Sequence, residues 1–483
     1  MILNRGNFQG MKKYSERVVQ FGEGNFLRCF IDWQLDILNE KKGLDAGITV
    51  VRPIDTKFPP SLSTQDGLYT TIIRGIDEEG KLIDNKRIIS SVNRELNVYT
   101  EYSKVIETFL NPDLEFVFSN TTEAGIVFNS EDKYQMEPQV SFPGKLTKFL
   151  HMRYKYFKGD ATKGLIIIPC ELIDYNGEEL KKIVFQYCEL WNLEIEFINW
   201  LENRNTWCSS LVDRIVTGYP RDEKETLEKE LGYQDKFMVA GEYFHLFVIQ
   251  GPKWLEDKLS IKDSGLNIKV VEDIKSYKER KVGILNGAHT ALVPVSYLCG
   301  IDRVRESLDD DYIRKFLENL IGEEIIPSLD MDKKELEEFA DSVIKRFSNP
   351  FVKHELLSIS LNSMFKFKTR ILPQMITYIE EKKKLPKHMV FSLAALVAFY
   401  RGKRENQMIS LNDELRFLDI YKNLWDSYDG TLEVAKKIAC AIASLDHWGY
   451  KLNEVPGFVE KLGTDIYRIE KKGVRTILEK GEL

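Results

Sequence analysis

A short β-rich run, Arg17-Val-Val-Gln-Phe21, leads straight into Gly22-Glu23-Gly24-Asn25-Phe26, and a segment of helical periodicity follows. Strand, glycine turn and helix in that order narrow the folds open to the chain. Two glycines let the backbone turn tightly and approach a pyrophosphate, and the next helix offers that group free N–H donors and a positive dipole end. Taken alone, Gly-x-Gly is also an ordinary tight turn. Three further β-rich runs, at 48–51, 114–118 and 164–168, alternate with helix-period stretches such as 26–41 and 98–110. Continuous apolar runs of this length read as buried parallel strands. Their alternation with helices predicts an α/β fold, a Rossmann-type doubly wound sheet that binds ligands at the carboxyl ends of its strands.

The character changes near residue 281. Segments 310–320, 333–347, 352–366 and 432–445 carry apolar residues at three- and four-residue spacing, which predicts a mostly α-helical C-terminal domain. A chain of 483 residues is too long for one core. The apolar rhythm breaks between Asp263 and Lys281, so the expected division is a Rossmann-type domain over 1–275 and a helical domain over 276–483. A net charge of -7 gives no electrostatic support for a nucleic-acid partner. The six cysteines are scattered without a Cys-x-x-Cys pair, as expected of reduced thiols in a cytoplasmic protein. No signal-peptide pattern opens the sequence, and the longest strongly apolar run, 389–400, is too short for a bilayer, so no membrane partner is expected. It predicts a buried core helix.

Chemistry concentrates in Lys281-Val-Gly-Ile-Leu-Asn286-Gly-Ala-His289. On one continuous helix of about 100° per residue, the three polar side chains fall within an arc of roughly 140°. A lysine can exchange a proton with a carbonyl or alcohol oxygen when its surroundings bring its pKa toward neutrality, while amide and imidazole groups hydrogen-bond that oxygen. In the nucleotide turn the candidates are Gly22, Gly24, Asn25 and Phe26, although Leu27 stands where the common dinucleotide fingerprint has its third glycine. Arg52-Pro53 replaces the acidic residue usual at the end of the second strand, with Asp55 just beyond, so these residues leave NAD against NADP open. Asn120, Thr121, Thr122 and Glu123 form a polar turn after the run at 114–118, suited to the nicotinamide half. No cysteine or histidine cluster has zinc spacing, and Glu242-Tyr-Phe-His245 reads as a packed feature, so no metal is expected.

Two more motifs, Pro169-Cys-Glu-Leu-Ile-Asp-Tyr-Asn176-Gly177 and Ser210-Leu-Val-Asp213-Arg214-Ile-Val-Thr-Gly-Tyr-Pro220, precede Lys281, Asn286 and His289. In that order, behind Gly-x-Gly-x-Phe, they resemble the polyol-specific long-chain dehydrogenase/reductase family, also called the mannitol dehydrogenase family, over nearly the whole chain. The wording of the two motifs is most similar to the family's hexuronate-reducing members. The resemblance implies NAD(H), a metal-free mechanism and a site in a cleft between the domains. It implies that Lys281 is the catalytic lysine, that Asn286 and His289 bind the reacting oxygen with Asn176 as the second asparagine, and that Asp213 is the aspartate of Val-Asp-Arg-Ile.

Family members acting on sugar acids and on neutral polyols share this set and differ at the far end of the substrate. A small-molecule sugar acid needs a cation there. Lys366, Lys368 and Arg370 are the candidates, or else form a solvated basic helix end. Two other readings compete. Tyr277-x-x-x-Lys281 also spells the catalytic pair of short-chain dehydrogenases, although it lies at the domain junction. A nucleotide-sensing regulator would have lost its reactive residues, and here they all stand. The sequence leaves the oligomeric state open.

Overall fold

The computed structural model describes residues 1–55, 61–121, 125–404 and 407–483. Two compact units divide the chain. One comprises Met1–Asp77 and Lys81–Ile274; the other comprises Lys275–Leu483 with the hairpin tip Glu78–Gly80.

The first unit is built on a six-stranded parallel sheet in the order Val92–Asn97, Gly47–Arg52, Glu16–Phe21, Phe116–Ser119, Ile166–Pro169 and Thr206–Trp207. Side chains alternate between its faces with period two. Val18, Val50, Phe116 and Ile168 enter one apolar core, and Val19, Val51, Val117 and Ile167 the other. Burial on both faces explains why the strands read as unbroken apolar runs. Chain order reverses between Glu16–Phe21 and Phe116–Ser119, so the crevice at their carboxyl ends is the switch point of the sheet. Two smaller sheets accompany it. One has four strands, built around the hairpin Tyr69–Ile76 and Leu82–Ile89; the other has three and carries Ser209–Asp213 on one edge.

The helix expected over 26–41 is two helices, Asn25–Cys29 and Ile31–Lys42, broken at Phe30 with φ -126°. The break frees carbonyls that buried donors then satisfy. Tyr69 Oη donates to Arg28 O at 2.9 Å, and the Arg214 guanidinium donates to Cys29 O at 2.7 Å.

The second unit is helical, as the periodicity predicts. Its run at 389–400 lies in helix Lys387–Phe399, buried from His388 onward. The Glu324 carboxylate caps that helix, accepting from the His388 and Met389 N–H groups. The single helix expected over 352–366 is instead Leu356–Ile359 and Ser363–Arg370, parted at Asn362 with φ 53°. Among the described residues no helix is long and apolar enough to cross a membrane.

Candidate active site

Gly22 follows the first strand with φ 119°, and a Cβ there would fall 2.7 Å from Asn120 O. Only glycine lets the two strand ends approach this closely at the switch point. Gly24 precedes helix Asn25–Cys29, whose N-terminus no side chain caps, and a Cβ on Gly24 would meet open space. Uncapped N–H groups beside an open glycine fit a pyrophosphate. Phe26 stacks on Phe30 at 5.0 Å, and Asn25 Oδ1 accepts from Arg28, so both side chains shape the turn. Across the crevice, the buried Glu171 carboxylate organises the polar turn. It accepts from Ser119 Oγ, Thr121 N and Thr121 Oγ, each at 3.0 Å, and burial raises its pKa. Asn120 donates to Cys170 O at 2.8 Å. Thr122 and Glu123 lie outside the described residues. Arg52, at the end of the second strand, lies beside the carboxylates of Glu23 and Glu95.

Asn176 is engaged through its whole side-chain amide. Its Nδ2 donates to Pro169 O and Glu171 O, both at 3.0 Å, while its Oδ1 accepts from Ser210 N at 2.8 Å. Both amide hydrogens are spent and the side chain is fully buried, so the amide has nothing left for a substrate oxygen. It ties the loop after strand Ile166–Pro169 to strand Ser209–Asp213. Asp213 ends that strand, 4% exposed. Its neighbour Arg214 is fixed by Cys29 O and Glu242 O and lies 4.1 Å over the Trp33 ring, which anchors the end of the strand.

The Lys281 segment is not regular α-helix. Lys281–Asn286 is a π-helical turn between helices Lys275–Arg280 and Gly287–Leu298. Gly287 N–H donates to Val282 O, five residues back. Bonds of this length bring residues five apart, here Lys281 and Asn286, nearer one line than the 100° repeat does, and such turns are frequent at functional sites. Gly287 permits a close neighbour, since a Cβ would lie 3.1 Å from Arg370 O. Lys281 and Asn286 are half-buried. The Asn286 side-chain amide meets no protein hydrogen-bond partner among the described residues, while its backbone carbonyl accepts from Thr290 Oγ.

His289 is buried, with its ring 4.0 Å from Phe347 in a stacked arrangement and 5.2 Å from His354 edge-on. Burial drives its pKa well below the usual histidine value, and His354, Arg346, Arg370 and Lys366 push it in the same direction. The imidazole is therefore neutral, and its buried Nε2 has no protein hydrogen-bond partner. Two of the expected cations, Lys366 and Arg370, are thus grouped with His289. Lys366 also donates to Ile359 O at 2.7 Å. Lys368 is not among the charges that weigh most on His289; it acts on His447. Arg346 and His354 were not singled out from the sequence. Arg346 lies beside Lys345 in the last turn of helix Lys333–Phe347, an ordinary basic helix end with no motif to distinguish it. Tyr277 packs against Arg280, whose guanidinium lies 4.8 Å from its ring. Among the described residues no group of three or more His, Cys, Asp or Glu could hold a metal.

Residues 16–263 match the mannitol dehydrogenase Rossmann domain, and residues 273–470 match the mannitol dehydrogenase C-terminal domain. An altronate oxidoreductase from Pectobacterium carotovorum subsp. carotovorum (strain PC1) is 52% identical over 483 residues, covering 99% of each chain. Two solved structures share the fold at 21% identity. A D-sorbitol dehydrogenase in substrate-free form gives a TM-score of 0.81, covering 99% of this chain and 100% of the other. A Pseudomonas fluorescens mannitol 2-dehydrogenase in a ternary complex with NAD and D-mannitol gives 0.67, covering 100% and 99%.

Proposed function

The chain belongs to the mannitol dehydrogenase family and is a dehydrogenase, and we propose that it interconverts tagaturonate and altronate with NAD(H), without metal, using Lys281 as acid and base. The observation that carries the sugar-acid reading is the set of charges about His289. Arg346, Arg370 and Lys366 all push its pKa down, so they bring positive charge to His289 that suits an anionic group. The 52% identity to an altronate oxidoreductase across the full length supports the same substrate class. The open glycine turn supports the cofactor, as does NAD in the mannitol 2-dehydrogenase of like fold.

What NAD(H) supplies when bound is the hydride for the carbonyl carbon. The protein's own residues manage the oxygen. Negative charge builds there during reduction, and the Asn286 amide and neutral His289 imidazole stabilise it by donating hydrogen bonds. Lys281 delivers the proton that turns alkoxide into hydroxyl, and takes it back during oxidation. Arginine binds the substrate carboxylate through two parallel N–H donors, which fixes orientation as well as charge.

The test is NADH consumption with D-tagaturonate, D-fructuronate and D-fructose in turn, before and after prolonged chelation. Tagaturonate should be turned over with the highest kcat/KM, unchanged by chelation. Preference for fructuronate or fructose would refute the substrate, and activity restored only by added metal would refute the metal-free mechanism.

A further inference from the structure

Arg52 closes the second strand, Gly47–Arg52, where this class of sheet meets the adenosine ribose. An arginine nearby ordinarily accommodates a 2′-phosphate. Here the guanidinium stands between two acids. Glu23, inside the glycine turn, accepts a hydrogen bond from Arg52 Nε at 3.4 Å. Glu95 Oε1 lies 3.3 Å from the same nitrogen, an ion pair without a directed hydrogen bond. The second Glu95 oxygen accepts from the Leu62 N–H, so the buried carboxylate is fixed in place.

We propose that Glu23 and Glu95 neutralise Arg52 and thereby make the site select the cofactor that lacks a 2′-phosphate. This rests on the reading of the glycine turn as an NAD(H) site. A phosphate carries about -1.5 to -2 charges at pH 7. Against Arg52 it must displace Glu23 or lie beside two like charges, whose repulsion is strong where water is scarce. Uncharged ribose hydroxyls meet no such opposition and can donate to the same carboxylates. Lack of room is not the filter. A cavity of about 620 Å³ opens beside the three side chains, and its other charged lining residues, Arg28, Arg221, Lys224 and Lys236, are all basic. The two acids alone among these charges oppose an added phosphate.

Calorimetric titration of the full chain with 5′-ADP and with adenosine 2′,5′-bisphosphate reads this device without turnover. The wild type should bind 5′-ADP more tightly. Glu23→Gln should shift the ratio of the two affinities toward the bisphosphate by at least roughly tenfold. Glu95→Gln should shift it in the same direction, and kcat/KM for NADPH over NADH should follow. In the double variant Glu23→Gln, Arg52→Gln the shift should vanish, because Arg52 is the group released. An unchanged ratio in a Glu23→Gln protein that still binds 5′-ADP overturns the proposal, as does a shift that survives loss of Arg52. A wild type that binds neither nucleotide nor NADH overturns the NAD(H) reading itself, and the selection with it.

Discussion

At the scale of single residues, burial, three cations and a second imidazole all oppose a proton on His289. Its folded pKa lies below the unfolded value of about 6.5, so at acidic pH the unfolded chain binds the extra proton. Stability is therefore lost as pH falls through and below about 6.5, at up to roughly 1.4 kcal/mol per pH unit from this residue. Urea unfolding of wild type and His289→Gln from pH 7.5 to 5.5 should show the variant gaining relative to wild type as pH falls. A difference independent of pH would mean that His289 is not held neutral. The cations around it make a second expectation. Replacing Arg346 or Arg370 with methionine should lower kcat/KM for tagaturonate by roughly 1.5–3 kcal/mol, the worth of a hydrogen bond to a charged group. Lys368→Met should change little, because Lys368 is not among the charges that weigh most on His289. If the two arginine variants keep wild-type kinetics, the carboxylate is held elsewhere.

At the scale of elements, the site is set by places where regular structure breaks. The break at Phe30, the π-turn Lys281–Asn286 and the break at Asn362 all lie inside stretches that read as continuous helix. Apolar spacing cannot reveal them. A π-turn adds one residue to one turn and needs no special residue type, and the partners that hold open the break at Phe30, Tyr69 and Arg214, are distant in sequence. Asn176 shows the same limit. Its identity matches a family motif, yet its bonds to Pro169, Glu171 and Ser210 make it a brace between strand ends. Asn176→Ala should therefore destabilise the fold by roughly 1–3 kcal/mol, the cost of leaving buried groups unpaired. The fraction that remains folded should retain most of its turnover. A stable variant with turnover cut by orders of magnitude would return Asn176 to the substrate oxygen.

Across the whole molecule, the fold class, a parallel Rossmann-type sheet followed by a mostly helical domain, was largely legible. The parallel strands are buried on both faces and so appear as unbroken β-rich runs, and the glycine turn falls at the switch point where the topology makes it useful. The four-stranded sheet around Tyr69–Ile76 and Leu82–Ile89 was not legible, because the second of these strands is exposed or only part-buried over most of its length and carries four consecutive polar residues, Asp84 to Arg87, at its centre. Charge partners were equally hidden. Nothing in the sequence near Arg52 shows that Glu95 will stand beside it, or that Arg346 will stand beside His289.

The central claim is that Lys281 moves the proton between the protein and the substrate oxygen. Single-turnover reduction of tagaturonate by Lys281→Ala tests it most directly, with NADH affinity measured separately by fluorescence titration. The account predicts a fall of at least roughly a hundredfold in the rate of the chemical step, the scale of acid–base assistance, with NADH binding intact. A variant that reduces tagaturonate at a near-normal rate would contradict it and show that another group carries the proton.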